Sequence, residues 1–410
     1  MNKKLTSSLL LVSAFAASIT TAVAETNSFN ASPIVSGGSG YSEFVASENP
    51  GSGNFERRPV RFTFSVNQGF DDNVFTSNID KEESFFTSAS VNALLSLSNG
   101  RTSLEGGISL GGIYYWDREG DEFDPDIVWS LDLGHVFSPK LRLDISSSFS
   151  YQSNPDFAAG GIRTQRSGNY VNANVGFNLT QTFTRRFSAV YSYSVGGVYY
   201  DDNLIGDSDN RVDQTLGLQL RFLIQPTISL VGEYRFGFIT YDSANRDSIS
   251  HYFLGGADFT INRRLTASLR AGVQLRDSDD TGEDTSPFVE STLAYKFGDR
   301  SSVSWVNRFG FEESDFGFGT TRQTYRTGLS VSHQITSRIA GNLGAYFTDS
   351  TYDGLNSDDE QTLDVTVGAT YSLNRLLSFQ VGYTYTEVFA ESALREYDRN
   401  RVFAGVTFSF

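Results

Sequence analysis

Residues 265–275 read Leu265-Thr266-Ala267-Ser268-Leu269-Arg270-Ala271-Gly272-Val273-Gln274-Leu275. In this segment every odd-numbered residue is apolar, and the even-numbered residues are threonine, serine, arginine, glycine and glutamine. Successive side chains of a β-strand point to opposite faces of the sheet, whereas a helix repeats about every 3.6 residues. The segment therefore predicts a strand with one apolar face and one polar face.

The same alternation recurs from Val60 to the end of the chain. Segments that begin at Val60, Leu141, Ile228 and Val402 place apolar side chains at every second position, with mostly polar or charged residues between them. After residue 24, no segment stays apolar for the roughly 20 residues that a membrane-spanning helix requires. If this chain crosses a membrane, its β-strands must span the bilayer.

Short turns alternate with longer polar segments between these strands. The short turns are at residues 99–100, 138–140, 184–186, 225–227, 262–264, 298–300, 336–338 and 374–376. The longer segments are at residues 117–126, 152–168, 201–211, 242–247, 276–286, 312–322, 349–361 and 386–398. This rhythm is typical of outer-membrane barrels, in which short turns face the periplasm and long loops face the outside.

These patterns predict an all-β fold, a transmembrane antiparallel up-and-down β-barrel of about 18 strands, within a range of about 16–18. An even number of strands places both ends of the barrel on the short-turn side, which predicts periplasmic termini. A closed barrel satisfies every backbone donor and acceptor within hydrocarbon, and an open sheet does not. A soluble β-propeller also repeats at about 40 residues, but it does not need an apolar side chain at every second position.

The first 59 residues predict two segments that precede the barrel. Residues 1–24 resemble a secretory signal peptide, because Lys3 and Lys4 precede an apolar core and Ala22-Val23-Ala24 has the small-residue pattern of a cleavage site. Residues 25–59 contain glycine- and serine-rich stretches and few apolar residues, which predicts a flexible periplasmic segment. We therefore expect cleavage near Ala24 and an outer-membrane barrel over residues 60–410.

The polar face of the predicted strands carries charges that lipid does not tolerate. A register shift of one residue would place Arg142, Glu233 and Arg270 in hydrocarbon, at roughly 2–4 kcal/mol for each charge near the midplane. The apolar face is therefore expected to contact lipid and the polar face to line the lumen. The predicted charged lumen residues are Arg61, Glu105, Asp132, Arg142, Asp144, Arg221, Glu233, Arg235, Asp258, Arg270, Glu290, Lys296, Arg308, Arg326, Asp364 and Arg401. Because this set is nearly balanced and the chain carries a net charge of −16, the acidic excess is expected in the long loops.

The sequence offers little for catalysis or metal binding. It has no cysteine and three histidines, and the alternation places His135 and His333 on the lipid-facing side. A hydrolase would need a histidine beside a nucleophile or a carboxylate cluster, and no such motif accompanies His251. A segment like a calcium loop begins at Asp277 but lacks the glutamate needed at its twelfth position. We therefore predict no enzymatic activity, no cofactor, no metal site and no nucleic-acid partner.

Two segments at the ends of the predicted barrel carry a family resemblance. Gly69-Phe70-Asp71-Asp72-Asn73-Val74-Phe75 follows the first strand, and the chain ends in Arg401-Val402-Phe403-Ala404-Gly405-Val406-Thr407-Phe408-Ser409-Phe410. The first segment, and Asp71, Asp72, Asn73 and Phe75 within it, resembles an early motif of a family of outer-membrane β-barrel porins often encoded beside genes for exopolysaccharide synthesis and export. The resemblance covers roughly residues 60–410 and implies a conduit for a secreted polysaccharide. A strand-ending turn would also explain Asp71-Asp72-Asn73. The aromatic residues Phe408 and Phe410 are expected to form the assembly signal of the last strand.

Three functional hypotheses remain open at this point. The leading one is a non-enzymatic outer-membrane channel with a polar lumen that conducts an exported exopolysaccharide. The first alternative is a general diffusion porin for small hydrophilic solutes, which predicts a constriction loop folded into the lumen. The second alternative is a structural or adhesive barrel whose acidic loops bind an external ligand. The expected partners are outer-membrane lipid, lipopolysaccharide, the barrel assembly machinery and periplasmic polysaccharide-export components.

Overall fold

The computed structural model describes residues 59–157, 162–242, 245–298, 300–314, 320–354 and 359–410. The predicted signal peptide and all but the last residue of the predicted flexible segment lie outside these ranges. The strands are β1 (Val60–Asp71), β2 (Ser84–Ser98), β3 (Thr102–Tyr115), β4 (Phe123–Ser138), β5 (Leu141–Gln152), β6 (Tyr170–Thr182), β7 (Phe187–Tyr200), β8 (Arg211–Gln225), β9 (Ile228–Tyr241), β10 (Ser248–Asn262), β11 (Leu265–Ser278), β12 (Gly282–Lys296), β13 (Ser301–Glu312), β14 (Thr320–Gln334), β15 (Ile339–Gly354), β16 (Glu360–Ser372), β17 (Leu377–Ala390) and β18 (Tyr397–Ser409). One short helix, α1 (Asn203–Asp209), lies between β7 and β8. No helix within the described ranges has the length and apolarity needed to cross a membrane.

The strands form one closed antiparallel sheet. Each strand pairs with its neighbours in the sequence, and β1 pairs with both β2 and β18. The last residue completes the seam, because the Phe62 N–H donates to the Phe410 carbonyl at 3.1 Å and the Phe410 N–H donates to the Phe62 carbonyl at 2.9 Å. The predicted antiparallel up-and-down barrel with eighteen strands is confirmed.

The two faces of the sheet differ as the alternation predicts. In β11, 45% of Leu269 and 42% of Val273 are exposed on the outer face, whereas Arg270 on the inner face is 3% exposed. The other strands repeat this pattern, with large apolar side chains outside and polar side chains inside. An apolar outer face of this kind suits hydrocarbon, because lipid offers no partner to a polar side chain.

The barrel has two unlike ends, which we name by their connections. At the short-turn end, where β1 begins and β18 ends, successive strands are joined by a few residues. At the long-loop end the connections are longer, and residues 153–169 between β5 and β6 form the longest, with 17 residues.

Several segments predicted as loops prove to be strands. Residues 276–286 were expected to be a loop, yet β11 runs to Ser278 and β12 starts at Gly282. Likewise Asp124 and Asp126 belong to β4 and not to the loop predicted at residues 117–126. The strands have 12 to 16 residues, more than the ~9–11 that cross a bilayer. Antiparallel pairing continues beyond the membrane, where polar residues tolerate water on one face of the sheet.

Two apolar clusters lie inside the barrel near the long-loop end. One consists of Val74, Phe86, Ile113, Tyr115 and Phe403. The other consists of Ile162, Tyr170, Val198 and Tyr200, with Ile205 of α1 packed against it. Ile162 belongs to the connection between β5 and β6, so this part of the connection is packed inside the barrel.

Candidate functional site

Charged residues of the inner face are brought together by the strand register. Residues that pair across neighbouring strands share a face, and Glu105 lies opposite Asp132 in this way. Arg270, Glu290, Arg308 and Arg326 form one row across β11, β12, β13 and β14. The remaining predicted lumen residues, Arg61, Arg142, Asp144, Arg221, Glu233, Arg235, Asp258, Lys296, Asp364 and Arg401, also lie on the inner face.

Six of these residues form a connected ion-pair network on β8 to β12, which we call the charge belt: Arg221, Glu233, Arg235, Asp258, Arg270 and Glu290. Arg235 bridges two carboxylates, with Nε 2.5 Å from Glu233 Oε1 and Nη2 2.7 Å from Glu290 Oε2. Arg270 joins Glu233 at 3.3 Å and Asp258 at 2.7 Å. Arg221 completes the chain at 3.8 Å from Asp258. These alternating charges nearly neutralise one another, so the belt presents fixed polar groups and little net charge.

Other predicted lumen residues have more local partners. Arg142 and Asp144 form a two-point ion pair within β5, at 2.6 to 2.9 Å. Asp364 accepts a hydrogen bond from Thr386 Oγ1 at 2.7 Å. The Arg308 guanidinium lies 5.5 Å from the centre of the Phe288 ring, within the range of a cation–π contact.

The described residues of the connection between β5 and β6, 153–157 and 162–169, are tied to the walls at the long-loop end, and we call them the inner loop. The Arg166 guanidinium donates two hydrogen bonds to the Asp124 carboxylate of β4, at 2.7 and 2.8 Å. Asp124 also pairs with Arg118 at 3.0 Å. In this way a carboxylate that is buried in the barrel wall is balanced by one cation from the loop and one from a neighbouring connection.

The inner loop also contacts two other parts of the barrel wall, β18 and β14. Arg399 of β18 donates to Asn154 Oδ1 at 3.0 Å, and Tyr397 Oη donates to the Thr164 carbonyl at 2.6 Å. On β14, Arg326 donates to the Phe157 carbonyl at 3.2 Å. Since β14 lies across the eighteen-strand ring from β5, the inner loop spans the lumen.

The connection that contains α1 supports the inner loop from a third side. Arg163 donates to Asp209 at 2.7 Å, and Arg246 pairs with the same carboxylate at 3.1 Å. Nearby, Glu313 accepts a hydrogen bond from Tyr241 Oη at 2.5 Å and pairs with Arg276 at 3.0 Å. Burial raises the pKa of Glu313 and the neighbouring arginines lower it, with the net result below its usual value.

The motif at the end of the first strand, Gly69–Phe75, connects the first strand of the barrel to the last. Asp71 is fully buried and accepts from Arg399 at 2.5 and 2.9 Å, with Arg401 at 3.1 Å. Asp72 accepts from the backbone and side-chain nitrogens of Asn400 at 2.6 and 2.7 Å. The cluster therefore does more than end a strand, because it holds β18 against β1.

The other residues of the motif organise the loop that follows β1. Asn73 Nδ2 donates to the carbonyls of Ser77 and Asp398, both at 2.8 Å. The Phe75 ring lies 5.7 Å from the Arg166 guanidinium. Asn73 thus contributes to the same seam, whereas Phe75 contacts the inner loop.

The terminal aromatic residues lie at the short-turn end. Phe408 is an outer-face residue of β18, register partner of Phe64 on β1 and Leu377 on β17. Phe410 follows β18 and closes the seam through the backbone bonds with Phe62.

The three histidines lie on the outer face. His251 Nδ1 is 2.9 Å from Tyr234 Oη, and its ring lies beside that of Phe236. His135 and His333 form hydrogen bonds with Thr102 Oγ1 and Ser301 Oγ. The described residues contain no group of three or more histidine, aspartate or glutamate side chains arranged to hold a metal ion.

Sequence reasoning predicted the inner face but missed the inner loop. Residues 152–168 were expected outside the barrel, and the predicted lumen set omitted Arg163, Arg166 and Asp124. Two signals were available in the sequence. The connection is longer than the ~12–15 residues usual for an unstructured loop, and it places Ile162 beside the cation Arg163. Connections of this length are usually functional or disordered, and an apolar side chain within one favours burial.

Solved structures with the same general architecture are similar to this chain at low sequence identity. The outer membrane protein OpdK from Pseudomonas aeruginosa shares 9% identity at a TM-score of 0.43, over 86% of this chain and 99% of that chain. OccAB4 from Acinetobacter baumannii shares 12% identity at a TM-score of 0.42, over 87% and 100%. The siderophore receptor PirA from Pseudomonas aeruginosa shares 12% identity at a TM-score of 0.40, over 86% and 81%.

Sequence comparison gives the family. No curated protein sequence matches the chain. The family described as "Putative beta-barrel porin 2" matches residues 53–410, which include every strand of the barrel. This chain belongs to that family of β-barrel porins, and it is an outer-membrane β-barrel channel of the porin type.

Proposed function

We propose that the protein is a passive channel for small hydrophilic solutes and that the inner loop sets its size limit. The observation that supports this most directly is the path of the inner loop, which is bound to Asp124 on β4, to Tyr397 and Arg399 on β18, and to Arg326 on β14 at the far side of the ring. A loop folded into the lumen narrows a wide barrel without changing its strand number. The hydroxyl, amide and balanced charged groups of the inner face suit a hydrated solute.

A conduit for an exported exopolysaccharide is the alternative that the family resemblance implies. A polymer needs a continuous passage, so the inner loop would have to leave the lumen before transport. That movement separates Arg166 from Asp124, a pair whose side chains are 11% and 3% exposed. Removing one partner of a buried ion pair costs roughly 3–5 kcal/mol. The conduit therefore requires a trigger that withdraws the loop, and the diffusion channel does not.

Both channel proposals share one orientation, with the short-turn end in the periplasm and the long-loop end outside. Because the chain has no cysteine, a single cysteine can be introduced without background labelling. A membrane-impermeant thiol reagent applied to intact cells should label Asp80→Cys in the β1–β2 loop and spare Arg338→Cys in a short turn. The reverse labelling would overturn the orientation.

Permeation through the full-length protein tests the proposed function. In liposomes and planar bilayers, we expect steady conductance and uptake of small sugars, with a sharp decline as sugar size increases. The double variant Asp124→Asn/Arg166→Gln should admit larger sugars and conduct more current, because the loop loses its charged tie to β4. Lys81→Gln is the matched control, since Lys81 pairs with Asp398 at the same end but the two side chains are 34% and 45% exposed.

Three outcomes would count against the proposal. A wild-type barrel that stays closed to the smallest sugars would favour a conduit opened by a periplasmic partner. Unchanged size limits in the double variant would show that the inner loop is not the constriction. A barrel that binds an external ligand through its acidic loops and has no permeability would support the adhesive alternative.

A further inference from the structure

The inner wall at the short-turn end contains a cavity of about 520 Å3. It lies beside β4 to β10 and is lined by inner-face residues such as Thr180, Ser188 and Thr260 and by the turns after β4, β6 and β8. Its volume falls in the ~300–1,000 Å3 range of small-molecule sites. The cavity is far from the inner loop, which occupies the other end of the barrel.

The charge of this cavity is predominantly basic. Its lining includes Lys140, Arg142, Arg185, Arg186 and Arg221, and Asp258 is its one carboxylate among the described residues. Asp258 is already paired with Arg270 at 2.7 Å. In the part of the chain that the structure describes, Lys140, Arg185 and Arg186 form no ion pair. The cavity therefore has an excess of cationic donors.

The turn that carries two of these arginines is held by its own backbone contacts. Thr184 Oγ1 accepts hydrogen bonds from the N–H groups of Arg186 and Phe187, at 3.2 and 3.0 Å. Neither guanidinium is needed for this turn, so both remain available to a ligand. Guanidinium groups recognise carboxylate and phosphate oxygens through paired hydrogen bonds, which distinguishes them from a simple point charge.

We propose that this cavity binds a small anionic solute, a polyhydroxylated molecule with a carboxylate or phosphate group, as it enters or leaves the barrel. The arginines hold the anionic group, and the hydroxyl groups of Thr180, Ser188 and Thr260 hold the rest of the solute. This inference rests on the proposed channel function and adds a preferred class of solute to it.

The chain supplies a matched control for the arginine pair. Asn262-Arg263-Arg264 forms the turn between β10 and β11, and Asn262 Oδ1 accepts from the N–H groups of Arg264 and Leu265 at 2.8 and 3.0 Å. Arg263 and Arg264 are exposed in the same way but do not line the cavity. The two turns differ in whether a cavity adjoins them.

Equilibrium binding by the full-length protein in detergent tests the site. Calorimetric titration at low salt should show binding of D-glucuronate and of inorganic phosphate, and no binding of D-glucose. Arg185→Gln/Arg186→Gln should weaken glucuronate binding about tenfold, whereas Arg263→Gln/Arg264→Gln should leave it within about twofold. Added salt should weaken binding, because the partners are partly exposed charges.

The outcomes separate this inference from the proposed function. Equal weakening in both arginine pairs would overturn the site and indicate a diffuse basic surface. The absence of glucuronate and phosphate binding in a barrel that conducts sugars would overturn the site and leave the channel intact. Selective binding by a barrel without permeability would support the site and overturn the channel.

Discussion

The two ends of the barrel both carry arginine side chains, with opposite results. At the long-loop end Arg166, Arg163 and Arg399 are bound to buried carboxylates and amides of other segments. At the short-turn end, Arg185 and Arg186 are exposed beside a cavity. The difference arises because the inner loop packs into the long-loop end, here called the covered end, whereas among the described residues no loop packs over Arg185 and Arg186. An arginine between two buried segments acts as a tie, and an arginine beside an open cavity is available to a ligand.

The largest expected effect is at the covered end. Asp71→Asn removes the buried carboxylate charge with which both Arg399 and Arg401 pair. We expect a loss of about 3–5 kcal/mol in the free energy of unfolding, which is the usual result of breaking a buried pair. Urea unfolding in detergent micelles measures it. If the variant unfolds like wild type, the ion pairs at the covered end are not structural.

A smaller effect is expected for the inner loop alone. Arg166→Gln removes the charge-assisted hydrogen bonds to Asp124. A hydrogen bond to a charged group contributes about 1.5–3 kcal/mol to stability. The barrel should remain folded while the backbone amides of residues 162–169 exchange with solvent about tenfold faster or more. Hydrogen–deuterium exchange measures this, with β11 amides as the internal control. Faster exchange throughout the barrel would mean that the loop and the sheet open together.

Acid should loosen the covered end through Glu313. Burial raises its pKa, and Arg276 and Arg211 lower it to a net value below the usual range. A depressed pKa means that the carboxylate stabilises the fold above its unfolded pKa, about 4.3, and that this stabilisation is lost as the pH falls further. Glu313→Gln should therefore be less stable than wild type at pH 7, and the difference should shrink below that pKa. A constant difference from neutral to acidic pH would contradict this.

The smallest effect is expected for an ion pair that lies away from the inner loop. Asp144→Asn breaks the pair with Arg142, whose side chain is 32% exposed. Water solvates the arginine that remains, so we expect a loss of no more than about 1 kcal/mol in urea unfolding. A loss as large as that of Asp71→Asn would remove the contrast between the two ends.

The sequence predicts the barrel well because its main signal is local. Alternation within Leu265–Leu275 assigns each side chain to a face, and the turn spacing gives the number of strands. It also predicts that Glu233 and Arg235 share a face, since they are two residues apart. The ion pair between Glu233 and Arg270 depends on the register of three strands, which alternation does not specify.

Sequence reasoning missed the path of the inner loop for a related reason. A loop at a barrel end can extend outward or fold inward, and both choices expose similar polar backbone. The inward choice depends on partners far away in the chain, such as Arg326 and Arg399 for Phe157 and Asn154. The role of Asp71-Asp72-Asn73 was missed for the same reason. In the sequence these residues resemble a turn, because their partners Arg399 and Asn400 lie far away in the chain.

The seam between β1 and β18 has a consequence for the order of events in biogenesis. The first strand cannot complete its ion pairs until the last strand is present, since Asp71 pairs with two cations that lie more than three hundred residues later in the chain. A barrel that lacks β18 has an open edge and an unpaired carboxylate at the same place. The seam therefore closes only when the whole sheet is present, and a chain truncated before β18 cannot form it.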